Sequence, residues 1–239
     1  MISDIFDKYS LEAQLRPALL ALLPLFLTIT VFGPVVYKIA TGLIGLVVAC
    51  GLTTAFSHIA RNRGRLVQKK LLKEWGALPT VLWLRHSDDN LDKHTKHRYF
   101  QFLEKNISEW HAPTQQEESA DPIEADKRYG SATKWLLEHT RDKKKFDLVF
   151  KENISYGFRR NCLGMKPIAI ALTLVAISIG LISFHNKSLS FLLQERIPQI
   201  VVVASDFVIL MWWAFGMTKT WVRDAADAYA RALLATCEG

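Results

Sequence analysis

Four long stretches with almost no charge constrain this chain more than any other feature. They run from Pro17 to Tyr37, Ile39 to Ala60, Pro167 to Phe184 and Ile197 to Thr218, and Asp206 is their only acidic residue. At a rise of about 1.5 Å per residue, a helix over each stretch can cross a hydrocarbon core about 30 Å thick. Helices of a soluble bundle keep a polar stripe toward water, whereas these stretches are apolar on every face. The sequence therefore predicts an all-α integral membrane protein with four transmembrane helices in two hairpins.

Positive charge indicates which side of the membrane each segment occupies. Residues 61–166 hold 22 Lys or Arg and 15 Asp or Glu, which accounts for the whole formal net charge of +7. Because basic segments next to spans stay in the cytosol, this segment and both ends of the chain are predicted to be cytosolic. The predicted organisation is a cytosolic segment 1–16, a transmembrane hairpin 17–60, a basic helical cytosolic domain 61–166, a transmembrane hairpin 167–218 and a cytosolic C-terminal helix 219–239.

The first half of the cytosolic domain shows one clear helix end. The second span continues as a helix through LVQKKLLKEW and is predicted to stop at Gly76, with a proline three residues later. The run VLWLRHS, residues 81–87, has no partner strand and is predicted as an extended loop. The next helix is predicted to start at Asp89 or Asn90.

The second half contains the clearest helix cap. HAPTQQEESA, residues 111–120, is interpreted as a polar linker. In the DPIE that follows, Asp121 suits the N-cap, Pro122 the first helical position and Glu124 the third. A last helix over residues 146–158 is predicted to end before Gly164 and Pro167 begin the third span.

No catalytic motif is recognised in the sequence, and no cofactor, metal or enzymatic activity is predicted. The three cysteines are isolated, and phosphate-binding glycine loops and nucleophile elbows are absent. His94 and His97 with Asp88, Asp89 and Asp92 offer metal-ligating side chains. The same stretch also suits a solvated helix start, which is favoured because no complete ligand set has a recognisable spacing.

Small residues form two stripes along the predicted spans. Such stripes let membrane helices approach closely and let hydroxyl groups bond across the contact. Packing within one chain explains at least one stripe, and two stripes also allow self-association. The stripes consist of Thr41, Gly45, Ala49 and Thr53 in span two and of Ala169, Thr173, Ala176, Gly180 and Ser183 in span three.

Asp206 lies near the middle of the fourth span. A charged Asp at this depth costs about 2.5 to 3.5 kcal/mol on insertion scales, so it should face a partner or water. Gln199, Asp206 and Trp213 are spaced seven apart and share one helical face, as expected of a pore-lining stripe with an aromatic closure. The alternative is a neutral Asp206 that bonds a hydroxyl within the bundle, and the candidates for that partner are Thr28, Thr30 and Ser178.

At KEWGALPT, ENISYGFRRN and the two-hairpin layout, the chain resembles small multispan membrane effectors of bacterial anti-phage defence, of the kind exemplified by the Hailong membrane subunit. The resemblance implies an oligomeric ion channel. We predict a homo-oligomer, a tetramer, in the bacterial inner membrane. The resemblance also implies control by a nucleotide or oligonucleotide made by a partner nucleotidyltransferase, with depolarisation and growth arrest during infection.

The basic residues of the cytosolic domain fit such an anionic ligand, and they equally fit anionic lipid headgroups. Two other functions stay open: a membrane anchor or scaffold that recruits a cytosolic protein, and a transporter subunit. The basic candidates are Arg159, Arg160, Lys143, Lys144 and Lys145.

Overall fold

The computed structural model describes residues 8–33, 35–185, 188 and 196–238, and for residues 35–50, 52 and 53 it describes the backbone alone. Across these residues the fold is all-helical and contains no strand, which confirms the predicted fold class at that level. The helices are α1 (Arg16–Phe32), α2 (Val35–Trp75), α3 (Pro79–Leu82), α4 (Lys93–Asn106), α5 (Gln115–Ala120), α6 (Pro122–His139), α7 (Asp147–Phe184), α8 (Ile197–Met211) and α9 (Lys219–Leu234).

Among the described residues, three helical segments are long and apolar enough to cross a membrane. They are Ser10–Phe32, in which a π-helical turn precedes α1, Asp147–Phe184, which is α7, and Ile197–Gly216, in which α8 continues as a π-helical turn. The second predicted span lies in α2, where most side chains are outside the described residues. That span stays a prediction.

The first span ends earlier than predicted. α1 stops at Phe32, and Gly33 is extended with φ −67° and ψ 145°. Because Gly33 precedes a proline, its helical conformation is disfavoured, and the predicted boundary at Tyr37 is therefore wrong. Tyr37 belongs to the backbone of α2.

The chain divides into two compact units. The first unit comprises Met1–Gln68 and Gly157–Trp221, and the second comprises Lys69–Tyr156 and Val222–Gly239. The second unit therefore includes the C-terminal segment that was predicted to be separate from residues 61–166.

In the first unit, α2 and α7 cross with their backbones in contact. A Cβ atom added to Gly164 would lie 2.7 Å from the backbone of Arg63 and Gly64, and one added to Gly64 would lie 1.8 Å from Asn161 Oδ1. Asn161 is fully buried and donates from Nδ2 to the carbonyl of Ala13 at 2.6 Å. The two glycines therefore permit a crossing at which one buried amide also holds the N-terminal π-helical turn.

The outer faces of α1, α7 and α8 expose large apolar side chains. A water-soluble surface carries few such contiguous residues, whereas lipid tails accommodate them. Examples are Phe26 and Ile29 in α1, Ile182 in α7 and Val208 in α8. Phe215, in the π-helical turn that continues α8, is exposed in the same way.

The second unit has its own apolar core beneath capped helices. Leu84, Leu103, Tyr129, Leu136 and Leu233 are fully buried and belong to one cluster. α2 ends at Trp75, and Gly76 takes a left-handed φ of 85°, which confirms the predicted stop.

The helix caps agree with the sequence in part. Asp121 accepts from the Glu124 N–H at 3.0 Å with Pro122 at the first helical position, which confirms the predicted start of α6. α4 begins at Lys93 because Asp92 is its N-cap, so the predicted start at Asp89 or Asn90 is three to four residues early.

Three local predictions are corrected. Residues 115–120 form α5 because Thr114 and Glu117 make a reciprocal capping box, so the polar linker contains a helix. Residues 81–87 are helix and turn, since α3 covers Pro79–Leu82. α7 runs without interruption through Gly164 and Pro167, so no helix ends there.

Candidate functional site

The central polar contact of the first unit joins α1 to α8. Thr28 Oγ1 donates a hydrogen bond to Asp206 Oδ2 at 3.2 Å, and both residues are almost completely buried. Thr30 and Ser178 do not reach Asp206, because they are exposed and donate to the carbonyls of Phe26 and Leu174 in their own helices. Of the three hydroxyls predicted as partners, Thr28 is therefore the one that meets the carboxyl group.

Three buried polar atoms on the Gln199, Asp206 and Trp213 stripe have no hydrogen-bond partner among the described residues. They are Gln199 Oε1, Asp206 Oδ1 and Trp213 Nε1. Asp206 and Trp213 are fully buried, whereas the Gln199 side chain is half-buried. The stripe predicted from the sequence thus coincides with a line of unsatisfied polar groups along one helix.

Trp213 lies at the C-terminal end of this stripe. Its ring lies in a buried cluster with Ala21, Ala60, Met165 and Ala169. It sits in the π-helical turn Trp212–Gly216, where a backbone that departs from α-helical bonding leaves carbonyl groups free for other partners.

Lys166 donates hydrogen bonds to carbonyl groups at this π-helical turn. It was not among the site residues predicted from the sequence. Its Nζ donates to the carbonyls of Ala214 at 2.7 Å and Met217 at 3.1 Å. A cation at the C-terminal end of a helix is favoured by the helix dipole. The sequence feature that could have indicated this role is the position of Lys166, directly before the third apolar stretch.

The small-residue stripe of α7 packs within the chain. Thr173 and Gly180 are buried, as are Ala169 and Ala176, whereas Ser183 is exposed. A Cβ atom added to Gly180 would lie 2.3 Å from Val203 Cγ2, so α8 occupies the space that this glycine leaves. The other stripe, which consists of Thr41, Gly45, Ala49 and Thr53, lies outside the described side chains.

Arg159 and Arg160 are engaged inside the first unit. Arg159 Nη1 donates to the Trp221 carbonyl at 2.9 Å, and its guanidinium lies 5.1 Å from the centre of the Trp221 ring. Arg160 Nη1 donates to Gln68 Oε1 at 2.7 Å. Both side chains are half-buried, so an anionic ligand would have to compete with these contacts.

Lys143, Lys144 and Lys145 belong to the second unit and are exposed. The ammonium groups of Lys143 and Lys145 lie 4.8 and 5.0 Å from the ring centres of Phe150 and Phe146. All three side chains are exposed, whereas Arg159 and Arg160 are half-buried, so this set is the more accessible of the two candidate basic sites.

A buried carboxylate in the second unit was also not predicted from the sequence. Glu118 Oε2 accepts from the His86 N–H and the Tyr129 hydroxyl, both at 2.8 Å. Its Oε1 accepts from the N–H and the hydroxyl of Ser87 at 3.1 and 2.9 Å. Burial by itself raises the pKa of Glu118, but the hydrogen bonds from His86, Tyr129 and Ser87 outweigh it and lower the pKa below its ordinary value.

Two further contacts hold the same loop. The buried ammonium of Lys96 donates to the carbonyls of Arg85 and Asp88. Burial lowers the pKa of Lys96. Arg85 makes a bidentate bond to Asp126, which raises the pKa of the guanidinium. These contacts are structural, because every group named has a partner within the chain.

The residues considered for metal binding serve the start of α4. Asp92 accepts from the N–H groups of His94 and Thr95 and from the Thr95 hydroxyl, and the Thr95 bonds lower its pKa to about 2. Asp88 accepts from Asn90. Within the described residues, no group of three or more His, Cys, Asp or Glu side chains is arranged to hold a metal ion.

No family model, curated protein or solved structure matches the chain.

Proposed function

We propose that this chain is an oligomeric membrane effector with a hydrated, cation-conducting path along α8. The observation that supports the proposal is the line of polar atoms at Gln199, Asp206 and Trp213, which have no hydrogen-bond partner within the part of the chain that the structure describes. A buried polar atom without a partner costs about 1 to 3 kcal/mol. Water molecules along the stripe would satisfy these atoms, and a carboxylate within such a path favours cations.

In this proposal the path is closed when Thr28 contacts Asp206 and Trp213 is buried. Thr28 covers one oxygen of Asp206, and Trp213 fills the apolar cluster at the other end of the stripe. Opening requires Thr28 to move away from Asp206, which breaks one hydrogen bond worth about 0.6 kcal/mol and at most about 1.7 kcal/mol between membrane helices. That bond by itself is weak enough for a ligand to reverse.

The resemblance to anti-phage membrane effectors suggests the signal and the outcome. In this proposal the protein lies in the bacterial inner membrane as a tetramer, with the second unit in the cytosol. An anionic nucleotide or oligonucleotide binds Lys143, Lys144 and Lys145, which are exposed, and opening depolarises the cell.

A membrane anchor or scaffold is the second candidate. The Thr28 to Asp206 bond within one chain favours it, because a carboxyl group with an internal partner can serve packing alone. Under this alternative the second unit recruits a protein partner and the apolar helices carry no ions.

Ion flux from the purified protein in liposomes distinguishes the two functions. Asp206→Asn keeps size and hydrogen bonding but removes the charge, so we expect a folded oligomer of unchanged size with a cation flux reduced about tenfold. The matched control is Ser205→Ala, because the Ser205 hydroxyl donates to the Val202 carbonyl of its own helix.

Wild-type cation flux from Asp206→Asn would reject the role of Asp206 in a path. No flux from the wild-type protein, with or without an added oligonucleotide, would favour the anchor. Under the anchor, Asp206→Leu should weaken the α1 to α8 contact by about 0.6 to 2 kcal/mol.

A further inference from the structure

We propose that a short surface of α2 binds the headgroups of anionic phospholipids. This headgroup surface consists of Arg61, Arg63 and Arg65 with the apolar side chains of Ile59 and Leu66, all in the first unit. The inference is independent of the proposed channel, since it concerns neither Asp206 nor the stripe on α8.

The geometry of α2 turns this surface outward. Gly64 marks the inward face, where it touches Asn161. Ile59 and Leu66 are seven residues apart and therefore share a face, and their exposed fractions are 37% and 55%. The three arginines are all exposed and flank this apolar face.

The charges of the surface have no internal counterion among the described residues. Arg61, Arg63 and Arg65 make no ion pair there, in contrast to Arg16 with Glu12 and Arg85 with Asp126. Arg61 and Arg65 are four apart on one helix, so their like charges destabilise it unless an anion lies nearby. The sequence has no acidic residue between Arg61 and Lys73.

A phospholipid fits this combination better than a soluble anion does. The fixed positive charge of a guanidinium attracts the phosphate of an anionic headgroup, and the exposed Ile59, which lies on the side of the apolar stretch, suits an acyl chain. α2 also continues toward its N-terminus into the apolar stretch that is predicted as the second span, which would put the arginines at headgroup depth.

Lipid retention by the full-length protein tests the proposal. The protein is exchanged from detergent into nanodiscs with equal amounts of phosphatidylcholine and phosphatidylglycerol, re-extracted in mild detergent, and the lipids that stay bound are counted by native mass spectrometry. We expect preferential retention of phosphatidylglycerol, and a reduction of that preference by about fivefold or more in Arg61→Gln/Arg63→Gln/Arg65→Gln. The charge-conserving triple Lys variant should keep most of the preference.

The matched control removes the same charge from exposed lysines of the second unit, as Lys93→Gln/Lys105→Gln/Lys134→Gln. It should retain phosphatidylglycerol as the wild type does. An unchanged preference in the Arg→Gln variant, or an equal loss in the lysine control, overturns the proposal. Soluble glycerol phosphate that displaces the lipid at similar concentration would also overturn it, because a simple phosphate site would then suffice. If the triple Arg→Gln variant and the triple Arg→Lys variant lose the preference for phosphatidylglycerol equally, the arginines act through packing and the proposal fails.

Discussion

Glu118 is the residue whose replacement has the most definite expected consequence. Its two carboxylate oxygens accept four hydrogen bonds, two of them from the backbone N–H groups of His86 and Ser87. In Glu118→Gln the amide nitrogen replaces one oxygen and cannot accept. The hydroxyl of Tyr129 or Ser87 can turn and accept from that amide, but one backbone N–H loses its acceptor in either orientation.

The cost follows from that single lost acceptor. His86 is half-buried and Ser87 is exposed, so water can replace part of the lost acceptor. The lost bond then costs about 0.5 to 1.5 kcal/mol, which corresponds to local opening that is about 2 to 13 times more frequent. Hydrogen exchange of full-length protein in detergent, followed by mass spectrometry on peptides covering residues 83–92, measures this change. The control is Glu138→Gln, since Glu138 makes an exposed pair with Arg141 worth at most about 1 kcal/mol.

The same residue predicts a pH dependence. Because the folded-state pKa of Glu118 is lowered from its ordinary value of 4.5, its carboxylate stabilises the second unit above that value. The stabilisation is lost as pH falls through the folded-state pKa. Protection of residues 83–92, corrected for intrinsic exchange, should therefore fall in acid for the wild type and much less for Glu118→Gln. Exchange that is unchanged by the substitution at neutral pH would refute the reasoning.

Two further predictions concern the first unit and the membrane topology. Gly164→Ala puts a Cβ atom 2.7 Å from backbone atoms of α2, so it should destabilise the protein by about 1 to 3 kcal/mol in thermal unfolding in detergent. Gly130→Ala, which meets no atom within 4 Å, should be neutral or stabilising, and equal stability of the two variants would contradict the close crossing. For topology, with Cys50, Cys162 and Cys237 replaced by Ala, a cysteine at Ser188 should react with an impermeant reagent from outside. A cysteine at Gln116, chosen because Thr114 caps α5, should react only after permeabilisation, and outside labelling at Gln116 would reverse the proposed orientation.

Several features of the fold could be predicted because their causes are local. The length of an apolar run decides whether a helix can cross a bilayer, and Asp121 with Pro122 is sufficient to start α6. Gly76 ends α2 because it takes a left-handed conformation at little steric cost. The reciprocal box at Thr114 and Glu117 was equally local, and it was missed because the polar composition of residues 111–120 suggested a linker.

The candidate site depended on contacts between residues far apart in the chain. The sequence by itself placed Gln199, Asp206 and Trp213 on one face of one helix, because the helical repeat alone determines that relation. Only the tertiary structure decided that Thr28 meets Asp206, that Arg159 is engaged with Trp221, and that Glu118 holds the loop at His86. Each partner comes from another helix or loop, and the packing of helices, which no local pattern specifies, determines which side chains meet.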